Sequence, residues 1–157
     1  MLRQLEQLSL DADGRYATSG ELQFIKDYLE STDERLKLYK KMRDLEEKII
    51  ALVETRKKAL VSEKLFQMGN KDVTWICRRD LQMVLRTASA NMLIGDFDRL
   101  REGMLIWYET IVRAFGYKRY TQKTYSILQD VVEEHLTPSE AELIMPGLVL
   151  THSLLNQ

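Results

Sequence analysis

The chain has 157 residues, which is enough for one domain with a sizeable core. Hydrophobic residues make up 45% of it, charged residues 30%, and the formal net charge is -1. This balance is typical of a soluble globular protein and argues against a large basic surface for nucleic acid. The longest aliphatic run, "IIALV" at 49–53, is far too short to cross a bilayer, so no membrane insertion is expected.

The cysteine and histidine content limits the chemistry further. Cys77 is the only cysteine, which excludes an internal disulfide and suits a reducing, intracellular compartment. The N-terminal segment has no apolar h-region, so a secretory signal peptide is not expected. His135 and His152 lack the spacing and the neighbouring ligands of a metal centre, and no metal site is predicted.

The first elements in chain order are short and amphipathic. Residues 2–10 predict a helix, followed by the turn-like "DADGRY". A second short helix is expected over about 20–29, with Ser19 as its N-cap. The segment "STDER" then predicts the start of a third helix, with Ser31 or Thr32 as N-cap and two acidic residues in its first turn.

Residues 33–66 carry the strongest helical pattern in the chain. Most of their apolar residues lie on one stripe: Leu38, Met42, Leu45, Ile49, Leu52 and Leu60. Periodicity alone leaves a coiled-coil arm open, but the heptads stop at Leu60, which favours a long helix within a globule. The basic cluster Arg56, Lys57 and Lys58 is interpreted as the solvated face of this helix, and Gly69 is expected to break the pattern.

Glycine and proline punctuate the rest of the chain. A helix over about 71–93 is expected to end at Gly95, and Asp96 to cap the next helix, which runs to Phe115 and stops at Gly116. Two more helices follow over about 121–136 and 139–154; Pro138 stands at the start of the last one, and Pro146 is expected to kink it. No alternating pattern predicts a strand, so the class is all-α, a single domain of about eight helices.

The stretch "CRRD" at 77–80 combines a thiol, two guanidinium groups and a carboxylate. The simplest interpretation makes Cys77 a buried small hydrophobe beside exposed charges. A thiol enzyme is a second interpretation, but no motif supplies a base or an oxyanion site, so no enzyme activity is predicted. The third is a ligand site, because a thiol can form a thioether, Asp80 can accept N–H donors, and Arg79 can clamp an acid group.

The segment "CRRDLQMVLRTASANMLIGD", residues 77–96, resembles the phycobiliproteins, specifically the allophycocyanin and phycocyanin subunits. Their pattern is Cys-x-Arg-Asp-Leu, an arginine nine residues after the cysteine, and an Ala- and Met-rich stretch that ends in Gly-Asp. The residues in register are Cys77, Arg79, Asp80, Leu81, Arg86, Gly95 and Asp96. "LDADGRY" is similar to the turn after the family's first helix, and "YETIVRAFGYKRYTQKTYSILQDVV" to a later turn and helix.

The resemblance implies an N-terminal helical hairpin, residues 1–30, followed by a globin-like helical bundle, residues 31–157. It also implies a phycocyanobilin-type bilin, an open-chain tetrapyrrole, linked as a thioether to Cys77. By the same resemblance Asp80 accepts the central pyrrole N–H groups and Arg79 pairs with a propionate. The remaining residues expected at the pigment are Trp75, Met83 and Val84.

Partners and location are implied in the same way. Asp11, Tyr16 and Arg86 match the family's contact between subunits. The expected partners are phycobiliprotein subunits or a second copy of the chain, in a dimer or a larger ring, together with linker proteins. The expected location is the cytoplasm, at the cytoplasmic face of the thylakoid with cyanobacterial phycobilisomes, and the expected role is light harvesting for photosynthesis.

The chain departs from the family pattern around the pigment. Met83 and Val84 stand where the family has a pair of tyrosines, and Val112 where it has another. An arginine pair before the cysteine is missing, the loop is shorter, and Asn70 has no secure equivalent. Helix 33–64 is also unusually charged, which indicates a divergent paralogue. The alternative function is therefore a pigment-free relative that regulates the assembly, docking or degradation of phycobilisomes.

Overall fold

The structure is a computed structural model that describes residues 1–60, 67–68, 71–72 and 74–156. Its helices are α1 (Leu2–Asp11), α2 (Gln23–Leu60), α3 (Thr74–Ile94), α4 (Phe97–Leu100), α5 (Ile106–Ala114), α6 (Lys118–Glu133) and α7 (Pro138–Leu155). A π-helical turn, Arg101–Leu105, joins α4 to α5. A short antiparallel pair of strands, β1 (Gln67–Met68) and β2 (Lys71–Asp72), precedes α3. The predicted all-α, globin-like class is confirmed.

The core lies where α2, α3, α6 and α7 pack against one another. The stripe predicted on the long helix faces this core, since Leu38, Met42 and Ile49 are buried. Leu45 and Leu52 pack half-buried at the edge of the same cluster. α2 is therefore a component of the globule and not a free coiled-coil arm.

Two glycines end helices where the sequence predicts, and both turns position the site described below. Gly95 has φ +63° and Gly116 has φ +70°, a backbone conformation that costs glycine little. The N–H of Asp96 donates to the carbonyl of Asn91 at 2.9 Å, which closes the end of α3. The N–H of Tyr117 donates to the carbonyl of Val112 in the same way, also at 2.9 Å. The polypeptide thus reverses between α3 and α4 and again between α5 and α6.

The predicted break at "STDER" is wrong, because α2 runs unbroken from Gln23 to Leu60. The hydroxyls of Ser31 and Thr32 donate to the carbonyl of Tyr28, at 3.1 and 2.9 Å, and do not cap a new helix. The predicted boundary between hairpin and bundle, at residue 30, consequently falls inside one helix, and the domain organisation stays a prediction.

Ser19 is not the cap that precedes α2. The reciprocal pair is formed one residue earlier: the N–H of Thr18 donates to the Glu21 carboxylate at 2.7 Å, and the N–H of Glu21 donates to the Thr18 hydroxyl at 3.3 Å. This is the arrangement of a capping box, and its sequence signature is the "TSGE" at 18–21. The predicted end of the long helix at Phe66, the break at Gly69 and the position of Asn70 lie outside the described residues.

α7 begins as predicted, with Thr137 as N-cap, Pro138 at the first position and a capping box with Glu140. The helix continues through Pro146 to Leu155. Gly147 lies where α7 crosses α4: a Cβ there would stand 2.6 Å from Cε1 of Phe97. Only glycine fits this close approach without a shift of the aromatic ring.

Candidate functional site

A cleft of about 450 Å³ opens between three parts of the fold. They are the first half of α3, the helix α5 with the Gly116 turn after it, and the start of α6. This volume lies within the range of small-molecule sites in proteins. The polar groups that line it from α3 are Cys77, Arg79 and Asp80. Most of the other lining side chains are apolar or aromatic: Ile76, Met83, Trp107, Tyr108, Ile111, Val112, Phe115, Tyr117 and Tyr120.

Cys77 lies in the first turn of α3, is half-buried and carries a free thiol. Tyr120, from α6, lines the same cleft as this thiol. Asp80 is on the same side of the helix, three residues later, as the helical repeat requires. The thiol and the carboxylate therefore face one cleft, and the interpretation of Cys77 as a fully buried hydrophobe beside exposed charges does not describe the observed geometry.

Asp80 is turned toward the protein, with its side chain only 18% exposed. Nε and Nη2 of Arg79 donate to its Oδ1, at 3.1 and 2.8 Å. The same guanidinium lies 5.6 Å from the centre of the Trp75 ring, within the range of a cation–π contact. Arg79 is exposed at the edge of the cleft, where a polar part of a ligand would meet solvent. The carboxylate thus offers a buried acceptor and the guanidinium an exposed donor.

A pair of buried phenols joins the wall of the cleft to the core: Tyr108 lines the cleft, and Tyr125 lies behind it. The hydroxyl of Tyr125 donates to that of Tyr108, at 3.2 Å, and both side chains are buried. Burial raises the pKa of each phenol well above its usual value, and the charge of Asp80 adds to this effect. Both groups therefore remain protonated at neutral pH and can act as hydrogen-bond donors.

Lys57 corrects the prediction that the 56–58 cluster is a solvated face. Its side chain is only 3% exposed, and its ammonium group donates a hydrogen bond to the Tyr120 hydroxyl. Burial lowers the pKa of Lys57 from 10.5 to about 8, although the neighbouring Cys77 and Glu54 favour the charged form. Arg56 is also paired: both of its terminal nitrogens donate to the carboxylate of Glu134, the residue directly after α6.

Of the three remaining residues predicted at the pigment, one lines the cleft, one lies in the core and one lies on the surface. Met83 lines the cleft, as does Val112. Val84 is fully buried in the core between the helices, and it is not among the residues that line the cleft. Trp75 is 63% exposed and lies outside the lining, above Arg79. The assignment of these residues to a pigment stays a prediction.

Sequence reasoning missed the aromatic side of the cleft. Five aromatic residues contribute to it: Trp107, Tyr108, Phe115, Tyr117 and Tyr120. They come from α5, the Gly116 turn and the start of α6, so only the tertiary fold brings them opposite α3. The π-helical turn before α5 shifts the register of the residues that follow it, and such turns are frequent at functional sites. The substitutions at positions 83, 84 and 112 had suggested a cleft with little aromatic surface. These five residues show that the cleft is rich in it.

The residues predicted to contact another subunit are all on the surface. Tyr16 is 98% exposed, and Asp11 is exposed at the end of α1. The Asp11 carboxylate accepts a hydrogen bond from Gln7 at 2.8 Å. Arg86 is exposed on α3 and pairs with Glu46 of α2 through its Nε at 2.7 Å. These positions are compatible with a partner, and the contact itself stays a prediction.

Within residues 1–60, 67–68, 71–72 and 74–156, no group of three or more histidine, cysteine or acidic side chains could hold a metal ion. In the same residues no helix combines the length and the apolar character that crossing a bilayer requires.

Comparison with known proteins relates this geometry to a family. A family model described as phycobilisome protein matches residues 8–152 of the chain. The allophycocyanin alpha chain of Mastigocladus laminosus is 28% identical to it over 120 residues, which cover 69% of this chain and 70% of that protein. The family match includes every residue of the cleft.

Proposed function

The chain belongs to the phycobilisome protein family, and on that premise we propose that it is a pigment-carrying subunit with a bilin bound as a thioether at Cys77. The observation that carries this proposal is the position of the Cys77 thiol, which opens onto the same cleft as Asp80 and Arg79. A bilin, when bound, supplies absorption of visible light for light harvesting. We propose phycobiliprotein subunits, a second copy of this chain and linker proteins as partners, at the cytoplasmic face of the thylakoid.

The three polar groups of the cleft match the chemistry of a bilin. The Cys77 thiol would add across a carbon–carbon double bond of the pigment, with sulfur on one carbon and the thiol proton on the other. The Asp80 carboxylate is largely buried, and there it would accept hydrogen bonds from central pyrrole N–H groups. Arg79, at the exposed edge, would clamp a propionate and in doing so exchange its present pairing with Asp80.

The walls of the cleft support a flat, conjugated ligand. Aromatic rings from α5 and α6 offer stacking surface, and the apolar side chains exclude water. The protonated phenols of Tyr108 and Tyr120 offer hydrogen-bond donors that Met83 and Val112 cannot supply. An extended pigment held by such walls loses less absorbed energy through twisting, which favours fluorescence and energy transfer.

Pigment attachment is tested by co-expression of the full chain with a bilin supply and a bilin lyase. The protein is then separated on a denaturing gel, and zinc-enhanced fluorescence is recorded. We expect a fluorescent band for the wild-type protein and none for Cys77→Ser, because the oxygen of serine forms no thioether. Absence of the wild-type band, under conditions that load a control phycobiliprotein subunit, would contradict the proposal.

A second function is favoured by a specific observation: polar groups of the cleft already have partners within the protein. Asp80 is paired with Arg79, and the Tyr120 hydroxyl accepts from Lys57. A cleft satisfied in this way is stable without a ligand, as a pigment-free regulator of phycobilisome assembly, docking or degradation would require.

A pull-down from an extract that contains phycobilisomes separates the two functions. A pigment-free regulator captures antenna subunits equally with wild-type protein and with Cys77→Ala. If the variant captures none while the wild-type protein does, the pigment contributes to binding and the regulator function is refuted. If neither captures an antenna subunit, the regulator function is refuted as well.

A further inference from the structure

The hydroxyl of Tyr108 has a proton without a partner inside the protein. Tyr108 lines the cleft from α5, and the residue is only 6% exposed. Its oxygen accepts the hydrogen bond that the Tyr125 hydroxyl donates, at 3.2 Å. Within the part of the chain that the structure describes, no carbonyl, carboxylate or hydroxyl accepts the proton of Tyr108 itself. Buried O–H donors without an acceptor are uncommon in folded proteins, so we expect the partner of this proton in the cleft.

Tyr125 fixes the direction of the Tyr108 proton. It belongs to α6, is 2% exposed, and is not among the residues that line the cleft. Because Tyr125 donates to the Tyr108 oxygen from the core, the O–H of Tyr108 is left to point away from the core. Burial raises the pKa of both phenols, so both keep their protons at neutral pH. The two tyrosines together present one oriented hydrogen-bond donor to the cleft.

The surroundings of Tyr108 favour an uncharged acceptor. The carboxylate of the cleft, Asp80, is only 18% exposed, and a second negative charge beside it would be repelled with little screening by water. The guanidinium that can pair with an acid group, Arg79, stands at the exposed edge. Most other lining residues are apolar or aromatic. A neutral carbonyl oxygen suits this place, and a bilin has such an oxygen on the lactam ring at each of its ends.

We propose that Tyr108 is a ligand-binding residue that donates a hydrogen bond to a terminal lactam carbonyl of an open-chain tetrapyrrole, and that Tyr125 is a positioning residue that aims this donor. The pair favours pigments that carry an oxygen at the end of the tetrapyrrole. The inference rests on the proposed function for the class of ligand, but it does not require the thioether.

The test uses biliverdin, a bilin with two lactam carbonyls, and the full chain with Cys77→Ala, which keeps binding reversible. Quenching of tryptophan fluorescence gives the dissociation constant, since Trp107 lines the cleft. Infrared difference spectroscopy records the lactam carbonyl bands of the bound pigment. Tyr108→Phe and Tyr125→Phe are compared in this background. Tyr39→Phe is the matched control, because it removes the same oxygen from a tyrosine of α2 that does not line the cleft.

We expect Tyr108→Phe to weaken biliverdin binding about three- to tenfold, the usual effect of one neutral hydrogen bond. One lactam carbonyl band moves to higher wavenumber, because a C=O bond stiffens when it loses a hydrogen-bond donor. Tyr125→Phe moves the same band in the same direction by a smaller amount, since the donor remains but is less well aimed. Tyr39→Phe changes neither quantity. A merely structural role of these hydroxyls would weaken binding and leave the carbonyl band in place.

The inference is overturned if Tyr108→Phe binds biliverdin with the affinity and the carbonyl bands of the background protein. It is also overturned if the background protein does not bind biliverdin. Tyr108→Phe leaves the Tyr125 hydroxyl without its acceptor. If that variant does not fold, the double variant Tyr108→Phe/Tyr125→Phe decides by the same two measurements.

Thioether formation is measured separately, on the wild-type chain, by zinc-enhanced fluorescence. Reversible binding with the predicted band shift, but no attached pigment, refutes the proposed function and retains the donor role of Tyr108. Attached pigment without a band shift in Tyr108→Phe retains the proposed function and overturns this inference.

Discussion

The buried ammonium group of Lys57 predicts an unusual dependence of stability on pH. The pKa of Lys57 is lowered from 10.5 to about 8 in the folded chain, chiefly by burial. Between these two values the unfolded chain binds more protons than the folded chain, so the free energy of unfolding rises with pH. The full difference corresponds to about 3 kcal/mol, of which about 2 kcal/mol is recovered between pH 8 and 10.

The assay is urea unfolding of the wild-type protein and of Lys57→Met at pH 8 and pH 10. The difference between them isolates the lysine, since other groups titrate alike in both proteins. We expect the wild-type protein to gain about 2 kcal/mol relative to the variant over this range. Above pH 10 the phenols dominate: their raised pKa values mean that stability is lost as pH rises further, so the comparison stops there.

Lys58→Met is the matched control, because Lys58 is the exposed next residue, and we expect this variant to keep the pH dependence of the wild-type protein. If the wild-type protein and Lys57→Met show parallel stability from pH 8 to 10, Lys57 is not desolvated in solution. That result would refute the burial argument.

Two further predictions concern the packing that positions the cleft. Gly147→Ala is expected to destabilise the protein by about 1–2 kcal/mol, because overpacking against Phe97 outweighs the gain of about 1 kcal/mol in helix propensity. Gly103→Ala meets nothing within 4 Å and is its control; thermal melts that rank Gly147→Ala as the more stable would contradict the contact. Arg78→Met removes two ion pairs, each of 2.6 Å, between α3 and α2 and is expected to cost about 1 kcal/mol in urea unfolding. High salt should reduce that cost, and a cost unaffected by salt would show that the pairs do not act electrostatically.

The ends of the helices were predictable because their causes are local. Gly95 and Gly116 adopt the left-handed conformation that ends a helix, and Asp96 accepts the N–H of Arg99 as an N-cap. The same reasoning failed at Ser31 and Thr32, whose hydroxyls can either cap a helix or bond back within one. The first part of α2 is held at the end of α3, where the side chains of Tyr28 and Arg35 donate to the carbonyls of Leu93 and Met92, and a local pattern cannot report such contacts.

The polar half of the cleft was predictable and the aromatic half was not. Cys77 and Asp80 share a helix face by spacing alone, so the sequence predicts their proximity. Tyr120 reaches the same place from a helix some forty residues later, through a turn at Gly116 and the packing of α6. Lys57 is buried for a similar reason: it lies one turn after the buried Val53, and its ammonium group meets Tyr120 of α6. No local pattern in the sequence predicts that Tyr120 lines the cleft or that Lys57 is buried.

The central claim is that Cys77 carries a bilin, and peptide mass spectrometry tests it most directly. Trypsin cleaves after Lys71 and Arg78 and so releases residues 72–78, which contain the single cysteine. After co-expression with a bilin supply and lyase, we predict that this peptide gains the mass of one bilin and absorbs visible light. An unmodified peptide from wild-type protein, while a control subunit is loaded in the same cells, would contradict the claim.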